Sequence, residues 1–176
     1  CMIDQWIRNN SQKKYDPEGT IASSGTVSKI ILNQYLEDFY YFNKSKRSFD
    51  TSDFDISFAR GLSLEDGCAT ITNFTAYLIS KGVEYANDNN NKLIQYLVCG
   101  GGRKNNFLMQ NIKNYLSHKK NISLSSIDDY DYNGDFIESQ AFGYLAIRSF
   151  LNLPISYPKT TGCEVPTVGG KLVENF

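Results

Sequence analysis

The fold of this chain is decided by the stretch Leu93-Ile94-Gln95-Tyr96-Leu97-Val98-Cys99-Gly100-Gly101-Gly102-Arg103-Lys104-Asn105-Asn106. An apolar run of residues that favour β-structure comes first, and three glycines follow it directly. A helical pattern begins after the glycines, so we predict a buried strand, a tight turn and a helix. Glycines at such a turn serve either a backbone with positive φ or the close approach of a ligand to backbone amides at a helix start. The spacing alone leaves both interpretations open.

A second strand is predicted shortly after this stretch. The helix after the glycines extends from about Asn105 to Ser117, and a short β-favouring run occupies Asn121 to Ser125. A strand–helix–strand order favours parallel pairing through a right-handed crossover. Upstream, Ser63-Leu64-Glu65-Asp66 resembles a capping box that starts a helix running to about Tyr85. The predicted fold class is α/β, a short mixed or parallel sheet flanked by helices.

The remaining segments add helices and turns. Apolar residues at helical spacing predict a helix from the start to about Asn10, and Tyr15-Asp16-Pro17-Glu18-Gly19 is typical of a turn. Another helix is predicted from Ser28. The aromatic run Phe39 to Phe42 is either a ligand platform or part of the core, and we favour the core. The last helix, from Asp135 to about Asn152, has apolar residues around its circumference, which predicts burial on more than one side.

Composition excludes several classes of protein. The net charge of −1 offers no electrostatic footprint for nucleic acid or an anionic membrane, and no apolar run approaches a membrane span. With one histidine and four scattered cysteines, a zinc site is disfavoured, and we expect reduced thiols in a cytoplasmic protein. The cysteines are Cys1, Cys68, Cys99 and Cys163.

Two further groups invite a chemical interpretation. Asp128, Asp129 and Asp131 lie in one loop after the second strand, but their spacing lacks the register of a calcium loop, and we predict no metal there. His118 lies among lysines at a helix end, where a solvated cation is a more common role than a catalyst.

Several strings, in order along the chain, resemble one family. Val98 to Asn105 resembles the "VCGGGxxN" element of the anhydro-N-acetylmuramic acid kinases, and Leu62 to Thr72 resembles their "LSxED..ATLT" helix. The segment Asp135 to Ala146 is similar to "DwvEAxAFAwLA", and Tyr15 to Gly19 fits "YDxdG". The tail from Leu153 to Gly170 resembles "GLP…TTG…GG".

The resemblance implies a member of the sugar kinase, actin and heat-shock chaperone superfamily, whose two ribonuclease-H-like lobes close on ATP. It implies Mg²⁺-ATP-dependent phosphorylation of 1,6-anhydro-N-acetylmuramic acid with opening of the anhydro ring, in peptidoglycan recycling in the cytoplasm. Gly100, Gly101, Gly102 and Asn105 would bind the nucleotide on its adenosine side. Glu138 matches the active-site glutamate near the sugar. Family members are often dimeric, which implies a homodimer.

Glu138 also has a purely structural interpretation. Asp135 and Glu138 have the spacing of an N-cap residue and its partner three positions later, so the pair could simply start the last helix. The two roles are compatible.

Important family elements are not found in these 176 residues. The "DTGPGN" phosphate loop, whose aspartate is the expected general base, would precede Cys1, and the "GTSxDG" element of the N-terminal lobe is also missing. We therefore expect residues 1–176 to be the C-terminal-lobe portion of a two-lobed sugar kinase whose partner is the missing N-terminal half. Two predicted strands, where a ribonuclease-H-like lobe has about five, indicate an incomplete lobe that folds poorly and is inactive alone.

Two alternatives remain at this point. The chain could be a truncated, non-catalytic remnant or a nucleotide-binding or interaction module. It could also belong to a sugar kinase with another substrate, because Thr51 replaces an arginine in the string from Arg47 to Phe54 that loosely resembles "KSLDRNDF". Asp4 and Asp66 are acidic residues without an assigned role, although Asp66 suits a helix cap.

Overall fold

The computed structural model describes residues 2–42, 49, 51–87 and 92–173. The chain divides into two compact units, residues 1–125 and residues 126–176. The first unit contains both clusters of buried apolar side chains. A short two-stranded parallel sheet is flanked by helices, which confirms the predicted α/β class.

Helices and strands alternate along the chain on both sides of the glycine stretch. In the described part of the chain they are α1 (Met2–Asn10), α2 (Thr20–Ser24), α3 (Lys29–Phe42), α4 (Leu64–Ala86), β1 (Ile94–Val98), α5 (Asn106–Leu116), β2 (Ile122–Ser126), α6 (Ile137–Phe150) and α7 (Pro158–Thr161). Of these, α4 and β1 precede the glycines, and α5, β2 and α6 follow them. Short 3₁₀ turns, among them Pro17–Gly19 and Gly101–Lys104, connect several of them.

The long helix α4 organises the first unit. It begins where the capping motif predicts, with the Ser63 Oγ accepting a hydrogen bond from the Asp66 amide at 3.0 Å. The Asp66 carboxylate does not complete a reciprocal box, because its Oδ1 accepts the amide of Thr26 at 2.7 Å. Asp66 therefore ties the segment before α3 to the start of α4.

The aromatic side chain of Phe39 lies in the core, as predicted. Phe39 is 5% exposed, and its ring meets Phe74 edge-on with centroids 5.4 Å apart. It also stacks on Phe54 at 5.8 Å. Such ring pairs add to the burial of apolar area. The side chains of residues 40–42 lie outside the described part of the structure, so the core interpretation is confirmed for Phe39.

The sheet joins the second cluster of buried side chains through Ile122 and Leu124 of β2. The Ile94 amide at the start of β1 donates to the Asn121 carbonyl at 2.9 Å, and α5 packs against α4 through Ala76 and a buried stripe on α5. The stripe consists of Leu108, Ile112 and Leu116. The prediction that β1 is buried is wrong, since its residues alternate between half-buried and exposed and Leu97 is 42% exposed. Alternation is what a strand shows when only one face is packed.

The second unit is loosely packed. The prediction that the last helix is buried on more than one side is wrong, because no residue of α6 is buried and Phe150 is 69% exposed. Within its own unit, the described elements are short, and none covers α6. The helix is fixed instead by Arg148, whose Nε donates to the Pro154 carbonyl at 2.7 Å and whose Nη2 donates to the Tyr157 hydroxyl at 2.8 Å.

Three of the four cysteines are described, and each is a free thiol: Cys68 is buried, Cys99 is exposed and Cys163 is half-buried. Burial raises the pKa of the Cys68 thiol to about 12, and the nearby carboxylate of Asp16 acts in the same direction. Cys1 lies outside the described residues. Among the helices that the structure describes, none has the length and apolar character needed to cross a membrane.

Candidate functional site

The three glycines after β1 form an open turn, which we call the glycine turn (Gly100–Gly102). Gly100 has a φ of 76°, in the left-handed region that favours glycine. Gly101 and Gly102 do not have positive φ. A Cβ at Gly101 would meet no atom within 4 Å, and one at Gly102 would meet only the Leu108 side chain at 3.8 Å. Backbone conformation therefore explains Gly100, whereas neither conformation nor packing explains Gly101.

Arg103 stabilises the glycine turn through hydrogen bonds to the Gly100 carbonyl. It is 8% exposed, and its guanidinium Nη1 donates to the Gly100 carbonyl at 2.9 Å. The Arg103 backbone amide donates to the same carbonyl at 3.3 Å. A charged side chain is rarely buried unless it is paired or hydrogen-bonded. Arg103 is not among the predicted site residues, although a basic residue directly after the glycines is a signal in the sequence.

Asn105 starts the helix that follows the turn. Its Oδ1 accepts the Leu108 amide at 2.8 Å, which makes Asn105 the N-cap of α5. Its own amide donates to the Gly102 carbonyl at 3.1 Å. The side-chain oxygen of this predicted nucleotide-binding residue is therefore engaged in a helix cap, and the residue is joined to the glycine turn through its backbone.

The turn at Asp16–Gly19, which we call the acidic turn, lies beside the glycine turn. Glu18 and Gly19 both have positive φ, 56° and 78°, which confirms the predicted reversal. A Cβ at Gly19 would lie 2.2 Å from the Asn105 Oδ1. Asp16 is 5% exposed, and its carboxylate accepts the amides of Ile21 and Ala22 at 2.8 and 3.0 Å.

The sequence pattern of this segment predicts only a turn, and α2 is not among the predicted helices. An aspartate followed by proline is a signal for a helix start, and here it marks the 3₁₀ turn Pro17–Gly19 that leads directly into α2. The contact between Gly19 and Asn105 had no such local signal.

Glu138 lies in the second unit, within the first turn of α6, and its side chain is exposed. The interpretation of Asp135 and Glu138 as a capping pair is wrong, because the N-cap position is occupied by Phe136, which makes no side-chain cap hydrogen bond. The helix starts at Ile137, two residues later than predicted, so Asp135 and Glu138 do not occupy the N-cap position and the third helical position. Glu138 belongs to the second unit and the glycine turn to the first.

The acidic loop after β2 organises its own backbone. The Ser126 side chain and Asp129 form a reciprocal capping box around the turn Ile127–Tyr130, and the Asp128 Oδ1 accepts the Gly134 amide at 2.9 Å. Among the described residues, no group of three or more histidine, cysteine, aspartate or glutamate side chains is placed to hold a metal ion.

The remaining candidates, His118 and Thr51, lie in other segments of the first unit. His118 is exposed, and its Nε2 lies 3.1 Å from the Glu84 Oε1. The hydrogen bond from Lys81 is the main cause that lowers the pKa of the Glu84 carboxyl. Thr51 is exposed in the short turn Thr51–Asp53, while residues 47, 48 and 50 of the same string lie outside the described part. The charge of Asp4 is a minor cause of the raised pKa of the Cys68 thiol.

A profile of the family described as anhydro-N-acetylmuramic acid kinase matches residues 1–175. Proteins that bear this same name are similar along nearly all of the chain. One from Pelagibacter ubique (strain HTCC1062) is 48% identical over 178 residues, which is 100% of this chain and 47% of that protein. Relatives from Zymomonas mobilis and Brucella canis are each 36% identical, covering 97% and 96% of this chain and 45% and 44% of their own lengths.

The chain thus spans a little less than half the length of the relatives that it matches. These matches do not support the expectation that the chain is the C-terminal portion of such a protein.

Proposed function

Because this chain belongs to the anhydro-N-acetylmuramic acid kinase family, we propose that it supplies one wall of a nucleotide site in a kinase that phosphorylates 1,6-anhydro-N-acetylmuramic acid with opening of the anhydro ring. The substrate is the one that the family description and the relatives' names contain. Phosphoryl transfer is mostly a matter of positioning and of charge stabilisation, so a wall that only binds and orients the nucleotide is a substantial part of the catalyst.

The observation that supports this proposal is the open space at Gly101. No Cβ would clash there, and φ does not demand glycine, so the absence of a side chain has no explanation within the described chain. The close approach of a ligand to the backbone would explain it. A strand that ends in glycines and leads to the N-terminus of a helix is a common way to hold nucleotide phosphates or the adjoining sugar.

Gly100, Gly101 and Gly102 are the proposed contacts of ATP on its adenosine side, and Asn105 holds their geometry as the cap of α5. The family's use of ATP brings Mg²⁺ with the nucleotide phosphates. Glu138 is the proposed contact of the sugar.

The general base is proposed to lie outside these 176 residues, on the other lobe of a two-lobed kinase, since the expected aspartate loop is not found in the sequence. The chain by itself is then expected to bind nucleotide without transferring phosphate. A homodimer of the complete kinase is part of the same proposal.

The test uses a chimera in which residues 1–176 replace the matching segment of the Pelagibacter ubique relative. Phosphorylation of 1,6-anhydro-N-acetylmuramic acid is measured with ATP and Mg²⁺, with the unmodified relative as the positive control. A panel with ordinary N-acetylmuramic acid and N-acetylglucosamine tests the sugar. Activity that requires the anhydro sugar supports the proposal, and activity confined to another amino sugar overturns the choice of substrate.

Calorimetry with Mg²⁺-ATP on the 176-residue chain and on the chimera provides the second measurement. Binding to both proteins together with sugar phosphorylation by the chimera is the expected result. Binding without phosphorylation would favour a non-catalytic nucleotide-binding module. No binding by a folded chimera would overturn the proposed nucleotide site.

A further inference from the structure

The acidic turn is far from the glycine turn in sequence but contacts it indirectly, because Gly19 packs against Asn105, the N-cap of the helix that follows the glycine turn. A Cβ built on Gly19 would lie 2.2 Å from the Asn105 Oδ1 and 2.9 Å from the Phe107 Cβ. The φ of Gly19, 78°, independently disfavours any residue with a side chain. Space and backbone conformation therefore both require glycine where the two turns meet.

The acidic turn is a firm support because it is anchored in the core. Both oxygens of the Asp16 carboxylate accept backbone amides at the start of α2, at 2.8 and 3.0 Å. The Cys68 thiol of α4 lies 3.6 Å from the Asp16 Oδ2 and donates to it. Hydrogen bonds to a buried carboxylate are strong, and their loss is costly. Gly19 consequently projects from a segment that is attached to α4.

Asn105, which packs against Gly19, connects the acidic turn to the glycine turn through its hydrogen bonds. Its amide holds the Gly102 carbonyl at 3.1 Å, its side-chain oxygen caps the Leu108 amide at 2.8 Å, and its carbonyl accepts the Met109 amide at 3.0 Å. A shift of Asn105 would thus move the glycine turn and the start of α5 together.

We propose that the acidic turn is a positioning element for the nucleotide: Gly19, held by Asp16, presses against Asn105 and so fixes the backbone of the glycine turn. The expected effect on nucleotide binding rests on the proposed function. The structural link between the two turns does not depend on that function. Asp16 and Gly19 touch no nucleotide and act only through Asn105.

The test compares Gly19→Ala with Gly25→Ala in the chimera. Gly25 is a matched control, because a Cβ there would lie 2.2 Å from the Glu65 carbonyl oxygen, in the same unit but away from the glycine turn. We expect Gly19→Ala to raise the KM for ATP about tenfold with kcat changed less than about twofold. Gly25→Ala should lower the melting temperature and leave the KM for ATP unchanged. Equal KM values in the two variants would overturn the inference.

Amide hydrogen exchange of the 176-residue chain gives a readout that needs no nucleotide. Exchange at Gly101–Lys104 should accelerate in Gly19→Ala and not in Gly25→Ala. If the chimera never uses ATP but this difference is found, the proposed function fails and the link between the turns stands. Unchanged exchange at Gly101–Lys104 overturns the link.

Asp16→Asn is a milder second variant in case Gly19→Ala does not fold. It retains the shape of the side chain but loses the charge and one acceptor, so the acidic turn should loosen without a steric clash. The same acceleration at Gly101–Lys104 is expected, and its absence in a folded Asp16→Asn protein contradicts the proposal.

Discussion

Trp6 covers Gly67 so closely that a Cβ on Gly67 would lie 2.1 Å from the indole Cζ2. The Trp6 Nε1 also donates to the Leu64 carbonyl at 2.9 Å, so the indole is fixed against the first turns of α4 by a hydrogen bond as well as by packing. The relationship explains why a glycine is tolerated inside a helix, where it costs about 1 kcal/mol relative to alanine.

Gly67→Ala should therefore destabilise the chain, despite the higher helix propensity of alanine. Overpacking of a core commonly costs about 1–3 kcal/mol, and the ring has no free space to move because Trp6 is 4% exposed. The free energy of unfolding is measured by urea titration. Gly82→Ala in the same helix is the control, since a Cβ there meets nothing within 4 Å, and it should be neutral or stabilising. An equal effect of both substitutions would contradict this interpretation.

Gly100→Ala and Gly101→Ala should separate folding from binding at the glycine turn. Gly100→Ala places a side chain at a φ of 76° and should cost about 1–2 kcal/mol of stability. Gly101→Ala should leave stability within about 0.5 kcal/mol, because no atom lies near its Cβ, but it should weaken the binding of ATP. Urea titration and calorimetry measure the two effects. Wild-type ATP affinity in Gly101→Ala would argue against ligand approach at this residue.

Cys68 and Cys99 should differ in their reaction with iodoacetamide. Burial, reinforced by Asp16, raises the pKa of the Cys68 thiol to about 12 from an ordinary value of 9.0, while Cys99 is exposed. Since the thiolate is the nucleophile, Cys68 should stay unmodified at pH 8 in the folded chain and react only in urea. Peptide mass spectrometry measures which cysteines carry the label. A label that is lost in Cys99→Ser is thereby assigned to Cys99.

The same shift has a consequence for stability. A raised pKa means that the folded state favours the neutral thiol. The contribution of the Cys68 thiol to the free energy of unfolding is therefore fully present below about pH 9 and is lost as the pH rises towards 12. The stability difference between the wild type and Cys68→Ala should shrink over that interval. A stability difference between the two proteins that stays constant from pH 8 to pH 11 would contradict this prediction.

Arg148→Met should loosen the second unit without affecting the first. The substitution removes the hydrogen bonds to the Pro154 carbonyl and the Tyr157 hydroxyl, as well as a contact with the Tyr144 ring whose centroid lies 5.7 Å from the guanidinium carbon. Amide exchange should accelerate by about tenfold across residues 126–173, which corresponds to about 1.4 kcal/mol. Exchange in residues 64–86 should not change, because these residues belong to the other unit. Arg8→Met, at an exposed arginine in α1, is the control.

Local patterns in the sequence were enough to place much of the fold. The Ser63 cap of α4, the reversal at Gly19 and the strand before Gly100 each follow from residues within one or two turns of one another. Their physical causes are local as well: a hydroxyl that accepts an amide, or a φ that only glycine adopts readily.

Features that depend on neighbours distant in sequence could not be predicted. The exposure of Phe150 on α6 depends on which elements lie beside that helix, and its apolar pattern is equally compatible with burial. The contact of Gly19 with Asn105 depends on how two loops approach in space. The burial of Arg103 likewise depends on the hydrogen bond between its guanidinium and the Gly100 carbonyl, which its position after the glycines indicates but does not determine.

The helix α4 contributes to both clusters of buried side chains: Phe74 belongs to the first and Ala76, two residues later, belongs to the second. Docking of this one helix therefore commits both clusters at once, and neither can assemble while α4 is unformed. Refolding of residues 1–125 from urea should consequently proceed in a single kinetic phase, with the acidic turn and the glycine turn acquiring protection at the same rate.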